Sequence, residues 1–155
     1  MSQGKEIVNV AVIGAGTMGA AIAQHFLMKG LPVILLDLQQ DSLDKGVASI
    51  SESLDEAVKR RIVSEEKKNE ILSRLNCTTQ YADLKDTDFV VEAVFENFNV
   101  KQTVFDSIEQ NVSDECIIAS NTSSFSITDL GAKLRKQDRF LGVHYFYHAA
   151  KNKLI

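Results

Sequence analysis

Residues Ile7–Gly19 read IVNVAVIGAGTMG, and this stretch decides the fold. The β-branched run Ile7–Ile13 predicts a strand buried on both faces. Gly14-Ala15-Gly16-Thr17-Met18-Gly19 follows without a gap and fits GxGxxG. From Thr17 to Lys29, Met18, Ile22 and Phe26 with the small residues Ala20, Ala21 and Ala23 suit a helix packed closely on a sheet and ended by Gly30. In a strand–glycine–helix context each element of the fingerprint has a task. Gly14 permits the tight turn, Gly16 lets a pyrophosphate approach the backbone, and Gly19 lets the helix lie against the strand. Unpaired N–H groups at the helix start then face the phosphate charge.

Working outward, the chain turns at Pro32, and Val33–Leu36 predict a second strand closed by Asp37, eighteen residues after Gly19. A carboxylate there can accept from both hydroxyls of an adenosine ribose, and Leu38-Gln39-Gln40 offer no cation for a 2′-phosphate. NAD is therefore favoured over NADP, although an FAD domain uses the same first unit. Leu43, Val47, Ile50, Leu54 and Val58 form one face of a long amphipathic helix. Ser64-Glu65-Glu66 starts another helix, running to about Leu75, with an acidic first turn. This helical pair, Asp41 to Leu75, is longer than one crossover requires.

Further strands are expected at Cys77–Thr79, Asp88–Ala93, Cys116–Ser120 and Phe140–Phe146, with helices at Asn99–Gln110 and Ser126–Lys136 between the later ones. Alternation of this kind predicts an α/β doubly wound Rossmann sheet, mainly parallel, of strand order 3-2-1-4-5-6, with the helical pair inserted between strands two and three.

Bulk composition agrees with one globular domain over residues 1–155: 45% hydrophobic, 25% charged, 8 Gly and 1 Pro. A formal charge of -4 argues against a nucleic-acid groove. No apolar run reaches bilayer length, and Met1–Glu6 lacks a signal-peptide plan, so a soluble cytoplasmic protein without membrane partners is expected. The two cysteines, Cys77 and Cys116, show no paired spacing and are read as small buried hydrophobes. No metal is expected.

Four further places add specificity: the helical pair, VVEAVFENFNVK, ASNTSS and QDRFLGVHYF. On them the chain, from about Val10 onward, resembles the L-3-hydroxyacyl-CoA dehydrogenases of fatty-acid β-oxidation. The resemblance implies NAD-dependent oxidation of L-3-hydroxyacyl-CoA to 3-ketoacyl-CoA. His144 would be the catalytic base, and Ser123 would contact cofactor and substrate. Glu96 and Lys101 would line the nicotinamide-ribose end, with Ala93 approaching the cofactor backbone. Ser53 and Arg60 fall at coenzyme A-contacting positions of the arm, Arg60 replacing a usual lysine. Blander readings stand beside these: a strand histidine at His144, turn chemistry around Ser123, a solvated charge pair at Glu96 and Lys101, and exposed helix residues at Ser53 and Arg60.

The chain departs from the family at Tyr147-His148, where Asn-Pro is usual. By resemblance, the glutamate that orients the base would directly follow Ile155. A helical carboxy-terminal domain that makes a homodimer would come after it, so the chain reads as a truncated cofactor half, poorly active alone. A non-catalytic, crystallin-like NAD-binding protein and another hydroxyacid dehydrogenase remain as alternatives.

Overall fold

The computed structural model describes residues 6–146. Its elements are β1 (Val10–Ile13), α1 (Thr17–Met28), β2 (Val33–Leu36), α2 (Gln40–Lys59), α3 (Glu65–Ser73), β3 (Leu75–Thr78), β4 (Phe89–Glu92), α4 (Phe98–Glu109), β5 (Ile117–Ser120), α5 (Ile127–Gly131) and β6 (Phe140–Gly142), with single 3-10 turns at Tyr81–Leu84 and Gln137–Arg139. The six strands pair in the order β3-β2-β1-β4-β5-β6, and every pairing is parallel. The Rossmann arrangement read from the sequence is thus present, with α2 and α3 as the inserted pair.

Alternation along the strands divides the core in two. Val12, Leu35, Val91 and Ala119 point to the face covered by α1, α2 and α3, where Ile22, Leu27, Ile50, Leu54 and Ile71 meet them. Ala11, Ile13, Val90 and Ile118 point to the other face, against Phe105 and Ile108 of α4 and Leu130 of α5. The Val, Leu, Ile and Phe side chains among these contribute about 1.5–3 kcal/mol each when fully buried.

Several boundaries differ from expectation. The first strand starts at Val10 because the amides of Val8 and Asn9 donate to the Asp88 carboxylate, at 3.1 and 2.9 Å, instead of joining the ladder. The helix expected over Ser126–Lys136 stops at Gly131, since the amides of Arg135 and Lys136 donate to the Glu109 carboxylate. The last strand ends at Gly142. Beyond it Val143 N–H donates to Ser120 O, and Tyr145 N–H donates to the Asn121 side chain at 2.9 Å. Cys116 is buried as expected, but Cys77 is exposed, because β3 is an edge strand with only its outer positions half-covered.

Candidate functional site

The turn between β1 and α1 is shaped by three glycines in three ways. Gly14 has φ 101°, and a Cβ there would lie 2.7 Å from the Ala93 carbonyl oxygen. At Gly19 a Cβ would lie 1.7 Å from the Gly14 oxygen, so helix and turn touch backbone to backbone. At Gly16 it would meet nothing within 4 Å. Gly14 and Gly19 are therefore required by the protein itself, whereas Gly16 borders open space. Gly16 is also the N-cap of α1, and no side chain caps the helix there. Thr17 is exposed and Met18 half-buried beside this opening, and Ala15 is buried beneath it.

Asp37, at the tip of β2, faces that turn. Its Oδ2 accepts the Ala15 N–H at 2.9 Å and its Oδ1 accepts the Gln39 N–H at 2.9 Å. Two backbone amides thus fix the carboxylate in the crevice between the ends of β1 and β2. A carboxylate offers about four lone-pair directions, so acceptor capacity is left for a diol.

Across the crevice, the loops after β4 and β5 are joined by a charged network. Glu92 and Lys101 are both 0% exposed. The Lys101 Nζ donates to Glu92 Oε1 at 2.6 Å and to the Val94 carbonyl at 3.2 Å, and pairs with Glu96 Oε1 at 3.1 Å. Glu92 also accepts from Val94 N–H at 2.8 Å and from the Ser120 hydroxyl at 2.6 Å. Glu96 Oε2 accepts the hydroxyls of Thr122 and Ser124, each at 2.7 Å. Burial would raise the Glu96 carboxyl; the Ser124 and Thr122 hydroxyls and the Lys101 ammonium outweigh it and hold it below its usual value. Lys101 is therefore no part of a solvated helix start. Ala93 is half-buried with its carbonyl against Gly14, and Ser123 is exposed between the two hydroxyls that Glu96 holds.

His144 lies just past β6, on the strand edge next to β5, and is exposed with its ring edge-on to Phe146 at 4.8 Å. The next residue faces the opposite way. Tyr145 is buried against His25 and Phe26 of α1, and burial pushes its phenol up to about 12. The Asn121–Tyr145 hydrogen bond ties this segment to the loop that carries Ser123. Tyr147 and His148 lie outside the described residues.

Ser53 and Arg60 open onto one groove of about 680 Å³ between α1 and α2, whose wall also includes Thr17, Met18, Gln24 and Ile62. Gln24 donates to the Ser53 hydroxyl at 2.9 Å, and Arg60 is exposed and 3.7 Å from Glu56. A Lys68–Asp55 ion pair fastens α3 to α2, and Asp55 itself lines the groove. Among the described residues no set of three or more His, Cys, Asp or Glu side chains could hold a metal, and no helix is long and apolar enough to cross a membrane.

Sequence reasoning missed Glu92, Ser120, Asn121 and Gln24. One signal was available for the first: an acid within an otherwise apolar strand buried on both faces requires a partner.

A parallel doubly wound sheet, a glycine turn opening onto an uncapped helix start, and an oriented acid on the neighbouring strand together define a Rossmann dinucleotide-binding domain. A family model described as "3-hydroxyacyl-CoA dehydrogenase, NAD binding domain" matches residues 9–155, and the chain belongs to that family. Its dinucleotide is NAD, and the open space at Gly16, which a Cβ would fill, fits such a ligand. The fatty acid oxidation complex subunit alpha of Psychrobacter arcticus is 45% identical over 150 residues, covering 97% of this chain and 21% of that protein. The peroxisomal fatty acid beta-oxidation multifunctional protein MFP2 of Arabidopsis thaliana is 35% identical over 142 residues, or 92% of this chain and 20% of that one. The crystal structure of (S)-3-hydroxybutyryl-CoA dehydrogenase from Ralstonia eutropha superposes with a TM-score of 0.91 at 42% identity, over 93% of this chain and 51% of that chain. The chain thus spans a fifth to a half of the length of these relatives.

Proposed function

We propose that this domain is the cofactor half of an NAD-dependent dehydrogenase acting on L-3-hydroxyacyl-CoA. The observation that carries the reading is the unfilled space beside Gly16, with the uncapped start of α1 on one side and the fixed Asp37 carboxylate on the other. Gly14–Gly19 hold the pyrophosphate, Asp37 the adenosine ribose, and Ala93, Glu96 and Lys101 border the nicotinamide end. Bound NAD supplies the hydride acceptor. His144, exposed just past β6, takes the proton from the substrate 3-hydroxyl. Ser123 donates a hydrogen bond to the oxygen as charge develops on it. Ser53 and Arg60 contact the coenzyme A portion along the α1–α2 groove, Arg60 through phosphate.

The relatives support the acyl-CoA substrate: two are fatty-acid oxidation proteins and one a 3-hydroxybutyryl-CoA dehydrogenase. By resemblance alone, the reading extends to a cytoplasmic homodimer formed through a helical carboxy-terminal domain.

Calorimetric titration of the chain with NAD, NADP and acetoacetyl-CoA tests the proposal. NAD is expected to bind and NADP to bind at least about tenfold more weakly, a difference of about 1.4 kcal/mol. Asp37→Ala is expected to weaken NAD by about 1.5–3 kcal/mol, the range of hydrogen bonds to a charged group. NAD affinity unchanged in Asp37→Ala would refute the ribose assignment.

A further inference from the structure

Gln24 is 6% exposed on the side of α1 that walls the α1–α2 groove, and its amide is held in one orientation. The Nε2 donates to the Ser53 hydroxyl at 2.9 Å and toward the Met28 sulfur at 3.8 Å. A thioether only accepts, so the N–H side of the amide belongs there. The Gln24 carbonyl Oε1 then has no protein donor among the described residues, although burying an amide oxygen without a hydrogen bond is costly. Ser53 is left in the complementary state. Its oxygen accepts from Gln24, and its O–H donates to no protein acceptor among the described residues. One wall of the groove thus carries an acceptor and a donor side by side, tied to each other and each lacking a protein partner of its own.

Their place along the groove narrows the ligand. α1 and α2 run alongside one another in the same direction, with Gly46 against Ala15 near their starts and Ser53 against Gln24 further on. The groove accordingly begins at Thr17 and Ser49, beside the glycine turn, and ends at Arg60 and Ile62. Arg60, at the end of α2, lies two turns beyond Ser53, about 10 Å along the axis. A ligand with a phosphate at Arg60 and its reactive end at the crevice passes Gln24 and Ser53 with the stretch between. In an acyl-CoA that stretch is the uncharged pantetheine arm, which carries two secondary amides joined by a two-carbon link. The N–H of one amide and the carbonyl of the other can lie along a single edge of the arm, and an acceptor and a donor on one wall complement that edge. A phosphate offers oxygens only and would leave the Gln24 carbonyl unpaired.

We propose that Gln24 and Ser53 form a paired amide reader for the pantetheine arm: Gln24 Oε1 accepts the N–H of the phosphate-side amide, and the Ser53 hydroxyl donates to the carbonyl of the thioester-side amide. The groove then selects the arm as well as the phosphate at its end. The proposal rests on the coenzyme A reading of the groove given above.

Its test is calorimetric titration of acetoacetyl-CoA, adenosine 3′,5′-bisphosphate and NAD against the unchanged chain, Gln24→Met, Ser53→Ala and Ser53→Thr. A fourth ligand is an acetoacetyl-CoA analogue in which an ester oxygen replaces the phosphate-side amide N–H. Gln24→Met and Ser53→Ala are each expected to raise the Kd for acetoacetyl-CoA about three- to tenfold, the effect of one hydrogen bond, while the bisphosphate and NAD move less than about twofold. Ser53→Thr keeps the hydroxyl and is expected to stay within about threefold of the unchanged chain. The ester analogue is expected to bind the unchanged chain about three- to tenfold more weakly than the amide does, and to bind Gln24→Met with less than about a twofold difference. A merely structural role for Gln24 would weaken acetoacetyl-CoA, the bisphosphate and NAD alike and leave the amide-to-ester ratio where it was; either result overturns the pair. Equal losses for acetoacetyl-CoA and the bisphosphate in Ser53→Ala would put the nucleotide end at Ser53 and overturn it as well. Should Gln24→Met fail to fold, Ser53→Ala and the ester analogue on the unchanged chain still decide, an ester as tight as the amide being the adverse result. Failure of the unchanged chain to bind acetoacetyl-CoA while it binds NAD would overturn the coenzyme A reading and the pair with it. Acetoacetyl-CoA binding that neither Gln24→Met nor Ser53→Ala weakens would overturn the pair alone.

Discussion

Helices α1 and α4 begin at corresponding points of the two halves of the sheet, each directly after a central strand, and their first turns are completed in opposite ways. At α1 the N-cap is Gly16 with no side chain over the free amides, and the space beside it is open. At α4 the N-cap is Asn97, whose Oδ1 accepts the Val100 N–H at 3.1 Å, and the first turn carries Lys101 inward to Glu92. One half leaves its charge requirement for something outside the chain, and the other meets it from within. An unsatisfied helix start costs stability unless water or a ligand completes it, and at α1 the open space beside Gly16 lets a ligand's charge do so.

The largest expected effect comes from the glycine that serves the protein alone. Gly19→Ala places a Cβ 1.7 Å from a backbone oxygen, with no flexible side chain to give way. A loss of more than about 3 kcal/mol is expected in urea unfolding, in the class reserved for severe steric conflict. A midpoint matching the unchanged chain would break the picture of backbone contact at this turn. Gly16→Ala is the complementary change. Its backbone, at φ -68° and ψ -173°, suits any residue and its surroundings are open. Stability is expected to stay within about 0.5 kcal/mol, while NAD affinity falls at least about tenfold, or about 1.4 kcal/mol. Loss of stability without loss of affinity would reverse the assignment of the two glycines.

Asn97→Ala tests the self-satisfied half. Removing an N-cap side chain costs about 1 kcal/mol, readable in the same unfolding experiment. Because Asn97 is not in the crevice network, NAD affinity is expected to change by less than about twofold, or 0.4 kcal/mol. A large affinity change would mean that the start of α4 meets the ligand as the start of α1 does.

How far each half could be read in advance follows from the same contrast. The α1 half is written locally: strand, glycines, helix, strand and acid stand in sequence order, and the period of the apolar residues changes where the fold changes. Six strands in the correct order, the helical pair and the place of Asp37 were legible for that reason. The α4 half depends on contacts between residues far apart in the chain. Glu92 meets Ser120, and Glu96 meets Thr122 and Ser124, across 26 to 28 positions that leave no periodic trace. Helix and strand ends failed for a related cause. The amides of Val8, Arg135 and Tyr145 leave regular structure for the side chains of Asp88, Glu109 and Asn121, and a propensity pattern does not record which distant carboxylate or amide will claim a backbone donor.

The contrast extends to the opposite ends of the first two helices. α1 closes on Gly30 at φ 87°, with Gly30 N–H bonded to Leu27 O at 3.0 Å and Leu31 N–H to Phe26 O at 3.2 Å. α2 closes with the same pair of bonds, Arg61 N–H to Val58 O at 2.8 Å and Ile62 N–H to Ala57 O at 2.9 Å, yet its left-handed residue is Arg61 at φ 58°. A side chain in that conformation costs about 1–2 kcal/mol, partly offset because glycine loses more freedom on folding. Arg61→Gly is therefore expected to stabilise the chain by about 0.5–1 kcal/mol in urea unfolding. Acetoacetyl-CoA affinity is expected to hold, since Arg60 and not Arg61 lines the groove. If stability rises but acyl-CoA binding falls, the strained residue is itself part of the arm's ligand surface, and the arm then resembles the α1 turn: a place where conformation is given up for something the protein does not contain.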